Sequence, residues 1–289
     1  MRFYFSEMDR NDNNNKKSLI LHFDINGTIT AVDTTEPGSV EENANMVLSK
    51  SYYGKINEIG EWILNNESNY FQSDPPNISY YDYLKSKTKG YKRKSFTFTY
   101  DGEPGELLKE SVSLVQSSMN TFLFKSFLKV LDMYPDALIV LRTFGLDIDE
   151  TITEIIHHLP NKRFRKGSFT YDNNDDNNIL LITDEGKYEG KYCGLDEIND
   201  ILQLCCERHD NLALIEDYNH WNDSKRLVSF GKQIKDDERM VQIFFDDNDC
   251  VNIHTNNNNN NNNSHFVKVN TLHAMNNENY FIDFMKQIF

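Results

Sequence analysis

Three short apolar runs, each ending in an oxygen-bearing side chain, constrain this chain more than any other feature. The first is Leu19-Ile20-Leu21-His22-Phe23, which ends in Asp24 and continues as Ile25-Asn26-Gly27-Thr28-Ile29. The second, Ala137-Leu138-Ile139-Val140-Leu141, ends in Arg142-Thr143, and the third, Val241-Gln242-Ile243-Phe244-Phe245, ends in Asp246-Asp247. Runs of this length with β-branched and aromatic members read as buried strands. Open α/β sheets place their chemistry just beyond the C-terminal ends of such strands. Gly27 lets the backbone turn close to whatever Asp24 holds. Asn26-Gly27 between apolar runs is also a hairpin signal. Both hold if Thr28 to Val32 extends as the second arm of a small flap after the turn.

A chain of 289 residues with 38% hydrophobic residues can bury a sizeable core, as one large domain or a domain with an insert. No apolar run approaches the roughly 18 residues of a membrane span, so no membrane association is expected. Met1 to Arg10 has no apolar core of a secretory signal, and the expected compartment is the cytoplasm. The net charge of -15 sets up a field that repels a nucleic-acid backbone, so no nucleic-acid partner is expected. A local anion site remains compatible with that charge. The four cysteines form no C-x-x-C pair, which argues against a zinc ribbon or redox motif and for reduced thiols.

In chain order, residues 1–17 read as a flexible tail. Glu41 to Glu67 has helical apolar spacing, with Ile56, Ile59, Trp62 and Ile63 on one face. Tyr80, Tyr81 and Tyr83 precede a basic cluster from Lys85 to Lys94, which is either a solvated loop or a rim that attracts an anion. Phe96, Phe98 and Tyr100 alternate as in a strand. Met119 to Leu131 and the stretch from Asp147 or Asp149 to Leu159 have helical spacing, the second capped by one of those acids. Ile179 to Ile182 and Leu212 to Ile215 are further strands around a helix at Leu195 to Cys205, the alternation of a parallel sheet. The uninterrupted run Asn256 to Asn263, in a loop over 255–264, cannot bury apolar surface and should be disordered. Phe266 to Val269 and Tyr280 to Ile288 complete the chain as a strand and a helix.

The three runs resemble the motifs of the haloacid dehalogenase superfamily of phosphatases and phosphotransferases. The first motif there is a strand followed by Asp-x-Asp-Gly-Thr, and Asp24-Ile25-Asn26-Gly27-Thr28 matches it except at Asn26. Thr143 matches the second motif, and Asp246 with Asp247 the fourth. The resemblance implies an α/β fold: a Rossmann-like parallel sheet flanked by helices, from residues 18–33 and 118–289, with an inserted α+β cap over 34–117. It implies Mg2+ held by Asp24, the backbone carbonyl of Asn26, Asp246 and Asp247. Asp24 would be the nucleophile and Asn26 would stand at the acid–base position. Thr143, Arg142 and Gly27 would contact the substrate phosphate. The third motif needs a lysine. Lys232 follows a glycine and precedes the paired acids; Lys225 is spaced more like the family.

The implied partner is a small phosphorylated substrate, cleaved through an aspartyl-phosphate. An amide cannot donate a proton as a carboxylic acid does, so Asn26 can only orient an oxygen or a water. The alternative is a phosphate-binding or regulatory protein on the same scaffold with weakened chemistry. Glu216 and Asp217 are the next acids near the same sheet edge.

Overall fold

The computed structural model describes residues 17–31, 39–65, 76–87, 113, 115–117, 122–172, 177–184, 187–255 and 263–289. Of the expected tail at 1–17 all but Lys17, and of the run Asn256 to Asn263 all but Asn263, lie outside them, as do the cluster from Lys92 to Lys94 and the alternation at Phe96 to Tyr100. In chain order the first elements are β1 (Ser18–Phe23), α1 (Val40–Ser51), β2 (Tyr53–Ile56), β3 (Trp62–Leu64), β4 (Ile78–Ser79) and α2 (Tyr80–Lys87). Next come α3 (Phe122–Met133), β5 (Leu138–Thr143), α4 (Ile148–His158), β6 (Phe164–Asp172), β7 (Asn177–Asp184) and β8 (Lys187–Cys193). The rest are α5 (Leu195–Arg208), β9 (Asn211–Glu216), α6 (Tyr218–Asp223), β10 (Lys232–Lys235), β11 (Met240–Asp246), β12 (Val251–His254), β13 (Ser264–Lys268), α7 (Thr271–Met275) and α8 (Tyr280–Ile288).

The fold is mixed α/β. Eight strands form one sheet in the order β13-β11-β1-β5-β9-β6-β7-β8. From β13 to β6 neighbouring strands run parallel; β7 is antiparallel to both β6 and β8. The inner parallel strands β11, β1, β5 and β9 are largely buried on both faces, which is why they read as apolar runs. Alternation sends Leu21, Phe23, Ile139, Leu141, Ile243 and Phe245 into one apolar layer, shared with α1, α3, α4, α7 and α8. Ile20, Leu138, Val140, Leu212 and Leu214 enter a second layer under α5.

Two expectations are corrected. Ile179 to Ile182 is a strand, but it sits in an antiparallel extension and not in a parallel alternation. Its partners β6 and β8 carry charged and polar residues along their length, so they lack the apolar run of an inner strand. Glu41 to Glu67 is helical only through Ser51; β2, β3 and β4 then form a three-stranded antiparallel sheet. Ile56, Ile59 and Ile63 are exposed, because helical spacing in that stretch has no helix to act on. α1 starts from a capping box, Ser39 accepting from the Glu42 amide and Glu42 from the Ser39 amide. Ala44, Val47 and Leu48 anchor it in the main apolar layer, so α1 stands fixed beside the C-terminal end of β1.

Candidate active site

Parallel pairing sets the site. β1 lies between β11 and β5, with Phe23 opposite Phe245 on one side and Leu141 on the other. The Asp24 amide continues the ladder by donating to the Phe245 carbonyl at 2.9 Å. Asp24, Arg142 and Asp246 therefore fall level at the C-terminal edge of the sheet, the position where such sheets carry ligands. Carboxylate oxygens of Asp24, Asp246 and Asp247 come within 4.8 Å of one another. Lys232 opens β10, and its Nζ donates to Asp24 Oδ1 at 2.6 Å, Asp246 Oδ2 at 2.7 Å and the Arg142 carbonyl at 3.0 Å. The lysine and both acids are buried.

Burial holds the Asp24 carboxyl well above the usual carboxylate range; Lys232 opposes this, and the Asp246 and Asp247 charges reinforce it. Burial works against the Lys232 ammonium, but the charges of Asp24 and Asp246 outweigh it and hold its pKa above the usual lysine value. The lysine stays charged, and it is the only cation in contact with Asp24 among the described residues. The buried Cys250 thiol, pushed up by burial and by Asp246, stays protonated and donates to Asp246 Oδ2 at 3.3 Å.

The loop after Asp24 is a tight turn and not a hairpin. The Ile25 carbonyl accepts from the amides of Thr28, Ile29 and Thr30, and the Gly27 amide donates to Thr30. Among the described residues only the isolated bridge Asn26–Thr30 remains of the expected flap. Gly27 has φ +79°, and a Cβ there would lie 2.6 Å from Asp247 Cγ. Glycine is required both by its left-handed backbone and by the approach of Asp247. The Thr28 hydroxyl accepts the Asp247 amide at 3.1 Å and so fixes the second acid.

Thr143 ends β5, and its Oγ1 accepts the Gly145 amide at 2.8 Å. A Cβ on Gly145 would meet Asn26 Nδ2 and Asp147 Oδ1, both at 2.6 Å, and Thr143 Oγ1 at 3.1 Å. Three polar groups thus converge over this glycine. Asn26 Nδ2 donates to Asp147 Oδ1 at 3.4 Å. Asp147 is the N-cap residue of α4, yet its side chain makes no capping bond.

One cleft collects Asp24, Asn26, Gly27, Thr143 and Asp247 along its wall. No family model, curated protein or solved structure matches this chain.

Four residues singled out in the sequence stand elsewhere. Arg142 alternates with Thr143 and so faces the opposite side of the sheet. Its guanidinium is buried between Phe169 and Phe244, donating to Glu216 Oε1 and the Gln233 carbonyl, and the substrate contact expected of it is not made from there. Glu216 is consumed by that ion pair. Asp217 caps α6 by accepting the His220 amide at 2.9 Å. Lys225 is exposed.

The cleft also brings in residues that no sequence signal marked. Lys50 of α1 donates to Asp247 Oδ2 at 2.9 Å and Asn248 Oδ1 at 3.3 Å. The Thr271 hydroxyl donates to the Gly27 carbonyl. Phe144 and Trp221 stack at 4.8 Å, with Tyr218 set edge-on to Phe144 at 5.9 Å. Phe144 follows Thr143 and Tyr218 follows β9, so the strand-end rule reaches them. Lys50 and Thr271 carry no comparable signal.

Proposed function

We propose that this chain is a Mg2+-dependent phosphoryl-transfer enzyme of the haloacid dehalogenase type, a phosphatase of small phosphoesters on a Rossmann-like core. The observation that carries this reading is the buried set of Asp24, Asp246 and Lys232, with Asp247 and Thr143 at the ends of neighbouring strands.

The donor set fits a hard cation. Three carboxylates converge, and the Gly27 position is cleared for Asp247 in a way that any side chain would block. Asp24, Asp246, Asp247 and the Asn26 backbone carbonyl would hold Mg2+. When bound, the ion supplies charge that offsets the phosphate oxygens.

The chain's own residues supply the rest. A carboxylate oxygen of Asp24 attacks phosphorus, its bond forms as the ester P–O bond breaks, and the leaving oxygen departs with the ester's electron pair. Lys232 holds Asp24 in place and offsets its charge. The Thr143 hydroxyl, anchored by its contact with the Gly145 amide, is oriented to donate to a phosphoryl oxygen. Water then attacks the aspartyl-phosphate at phosphorus, the bond from phosphorus to the Asp24 oxygen breaks, Asp24 leaves as a carboxylate, and the water's protons pass to the phosphate product and the solvent. At Asn26 an amide stands where a general acid–base group would help by about 10²–10⁴ in rate. Aryl and acyl phosphates, which leave without a proton, are therefore the expected better substrates.

The Asn26 amide also supports a second reading, a phosphate-binding or regulatory protein in which turnover is slow. The test is a panel of aryl and alkyl phosphates assayed with and without Mg2+, on the parent and on Asp24→Asn. Turnover that needs both Mg2+ and Asp24 is expected. Turnover that survives Asp24→Asn in a folded protein would sink the aspartyl-phosphate mechanism. Tight phosphate binding without turnover would favour the second reading.

A further inference from the structure

Among the described residues, the cleft holds two cations that the proposed chemistry does not use, Lys50, which pairs with Asp247, and Arg226. Arg226 lines the cavity that reaches Asp24, and it also lines a second cavity bounded by Tyr53, Ser79 and Lys85 of the β2–β4 and α2 region. The two cavities share Lys50, Tyr81, Trp221, Asp247 and Asn248, so Arg226 stands where they join.

Its partners are all neutral. Nε donates to Asn222 Oδ1 at 3.2 Å and Nη2 to the Tyr218 hydroxyl at 2.8 Å; the guanidinium lies 5.5 Å from the Trp221 ring centre and 5.8 Å from that of Tyr218. Five N–H donors are available to an arginine, and these two bonds use two of them. No carboxylate pairs with Arg226 among the described residues, in a chain with net charge -15. Arg142, Arg165 and Arg239 each have an acid; Arg163 and Arg208, which also lack one among the described residues, are exposed, whereas Arg226 is half-buried. The acids of the second cavity are engaged elsewhere: Asp247 with Lys50, Asp249 with Lys268, and Asp82 with the Ser79 hydroxyl.

The backbone is unusual at the same point. Lys225 and Arg226 both have positive φ, 58° and 59°. Two successive non-glycine residues in the left-handed region are uncommon, and such conformations concentrate at ligand clamps. Here they turn the chain back after α6, with the Arg226 amide donating to the Trp221 carbonyl at 2.9 Å. The turn sets the guanidinium against the aromatic wall.

We infer that Arg226 clamps a second anionic group on the substrate. The substrate class is then a phosphomonoester whose leaving group is flat enough to lie along Phe144 and Trp221 and bears a carboxylate or a second phosphate remote from the ester. Lys85, exposed on the far wall and 5.7 Å from the Tyr81 ring centre, adds positive charge on the same path. This inference rests on the proposed phosphoryl site, which orients the other end of the ligand.

The test is calorimetric binding of two non-hydrolysable probes to the full chain with Mg2+. The probes are benzylphosphonate and para-carboxybenzylphosphonate. The carboxylated probe should bind about tenfold or more tightly, as a charge-assisted hydrogen bond allows. Arg226→Gln should erase the difference, Arg226→Lys should keep part of it, and Lys225→Gln should keep all of it. If Arg226→Gln does not fold, the loss of fork geometry in Arg226→Lys decides, read as a smaller preference that fades with salt. Equal affinity of the two probes, or a preference that survives loss of Arg226, overturns the clamp and leaves the phosphoryl site standing. Failure of both probes to bind overturns the phosphoryl site and the clamp with it.

Discussion

Replacing Lys232 with Met keeps the length of the side chain and removes the charge that joins Asp24 to Asp246. Both carboxylates are buried, and both contacts are shorter than 2.8 Å. Removing one partner of a buried ion pair costs about 3–5 kcal/mol, because the remaining charge has no solvent to return to. A chain of this size loses roughly 2–4 °C of melting temperature per kcal/mol, so the variant should melt about 6–20 °C below the parent near neutral pH. The sign with pH follows from Asp24. Its carboxyl already sits above the usual range, and loss of Lys232 raises it further. The folded variant then binds more protons than its unfolded form, so it regains stability as pH falls and loses it as pH rises through the folded pKa. The gap to the parent should narrow on acidification from about pH 7 to about pH 5. Mg2+ should raise both proteins, each by about 2.7 kcal/mol at a hundredfold excess over its own dissociation constant, and leave the gap in place. Thermal melts followed by circular dichroism, at both pH values and with or without Mg2+, measure all three effects. A variant that melts within about 2 °C of the parent, or a gap that widens in acid, would refute the buried triad.

Asn26→Asp should raise kcat/KM most for alkyl phosphates, by up to about 10²–10⁴, and least for aryl phosphates; an equal change across leaving groups of graded pKa would remove the acid–base argument. Gly27→Ala should cost about 1–2 kcal/mol through its left-handed backbone and weaken Mg2+ binding by displacing Asp247, read by titration of Mg2+ against melting temperature; unchanged Mg2+ affinity would remove Asp247 from the metal set. His22 is buried, stacked on Phe244 with Nε2 on Gln242, and burial with the nearby Arg142 charge lowers its pKa to about 3. Its contribution is whole above the unfolded pKa and is lost as pH falls toward the folded one, at about 1.4 kcal/mol per pH unit. His22→Phe should reduce the acid sensitivity of denaturant unfolding; the same sensitivity in both proteins would mean that the ring is protonated without penalty.

The strands that build the site were legible in the sequence. A parallel strand buried on both faces has to be a continuous apolar run, and a run that ends in Asp24, Thr143 or Asp246 marks where the apolar layers give way to the buried polar groups of the cleft. The helices α3, α4, α5 and α8 were legible as well, because each buries one stripe at helical spacing. Periodicity failed at β2 and β3, where short strands of a small sheet left Ile56 and Ile63 exposed and helical spacing arose without a helix. It failed again at β6 and β8, whose mixed residues hide an antiparallel edge. Tertiary structure alone decided which lysine meets Asp24, since the contact joins residues 208 apart and Lys225 and Lys232 look alike in one dimension. It decided that Arg142 turns from the cleft, that Asp147 faces Asn26 and that Arg226 stands without an acid among the described residues. Local sequence sets which face of an element is apolar, a property of neighbours a few residues apart. Which polar side chain meets which depends on strand register and loop closure across the whole chain, and that is settled only when the sheet has formed.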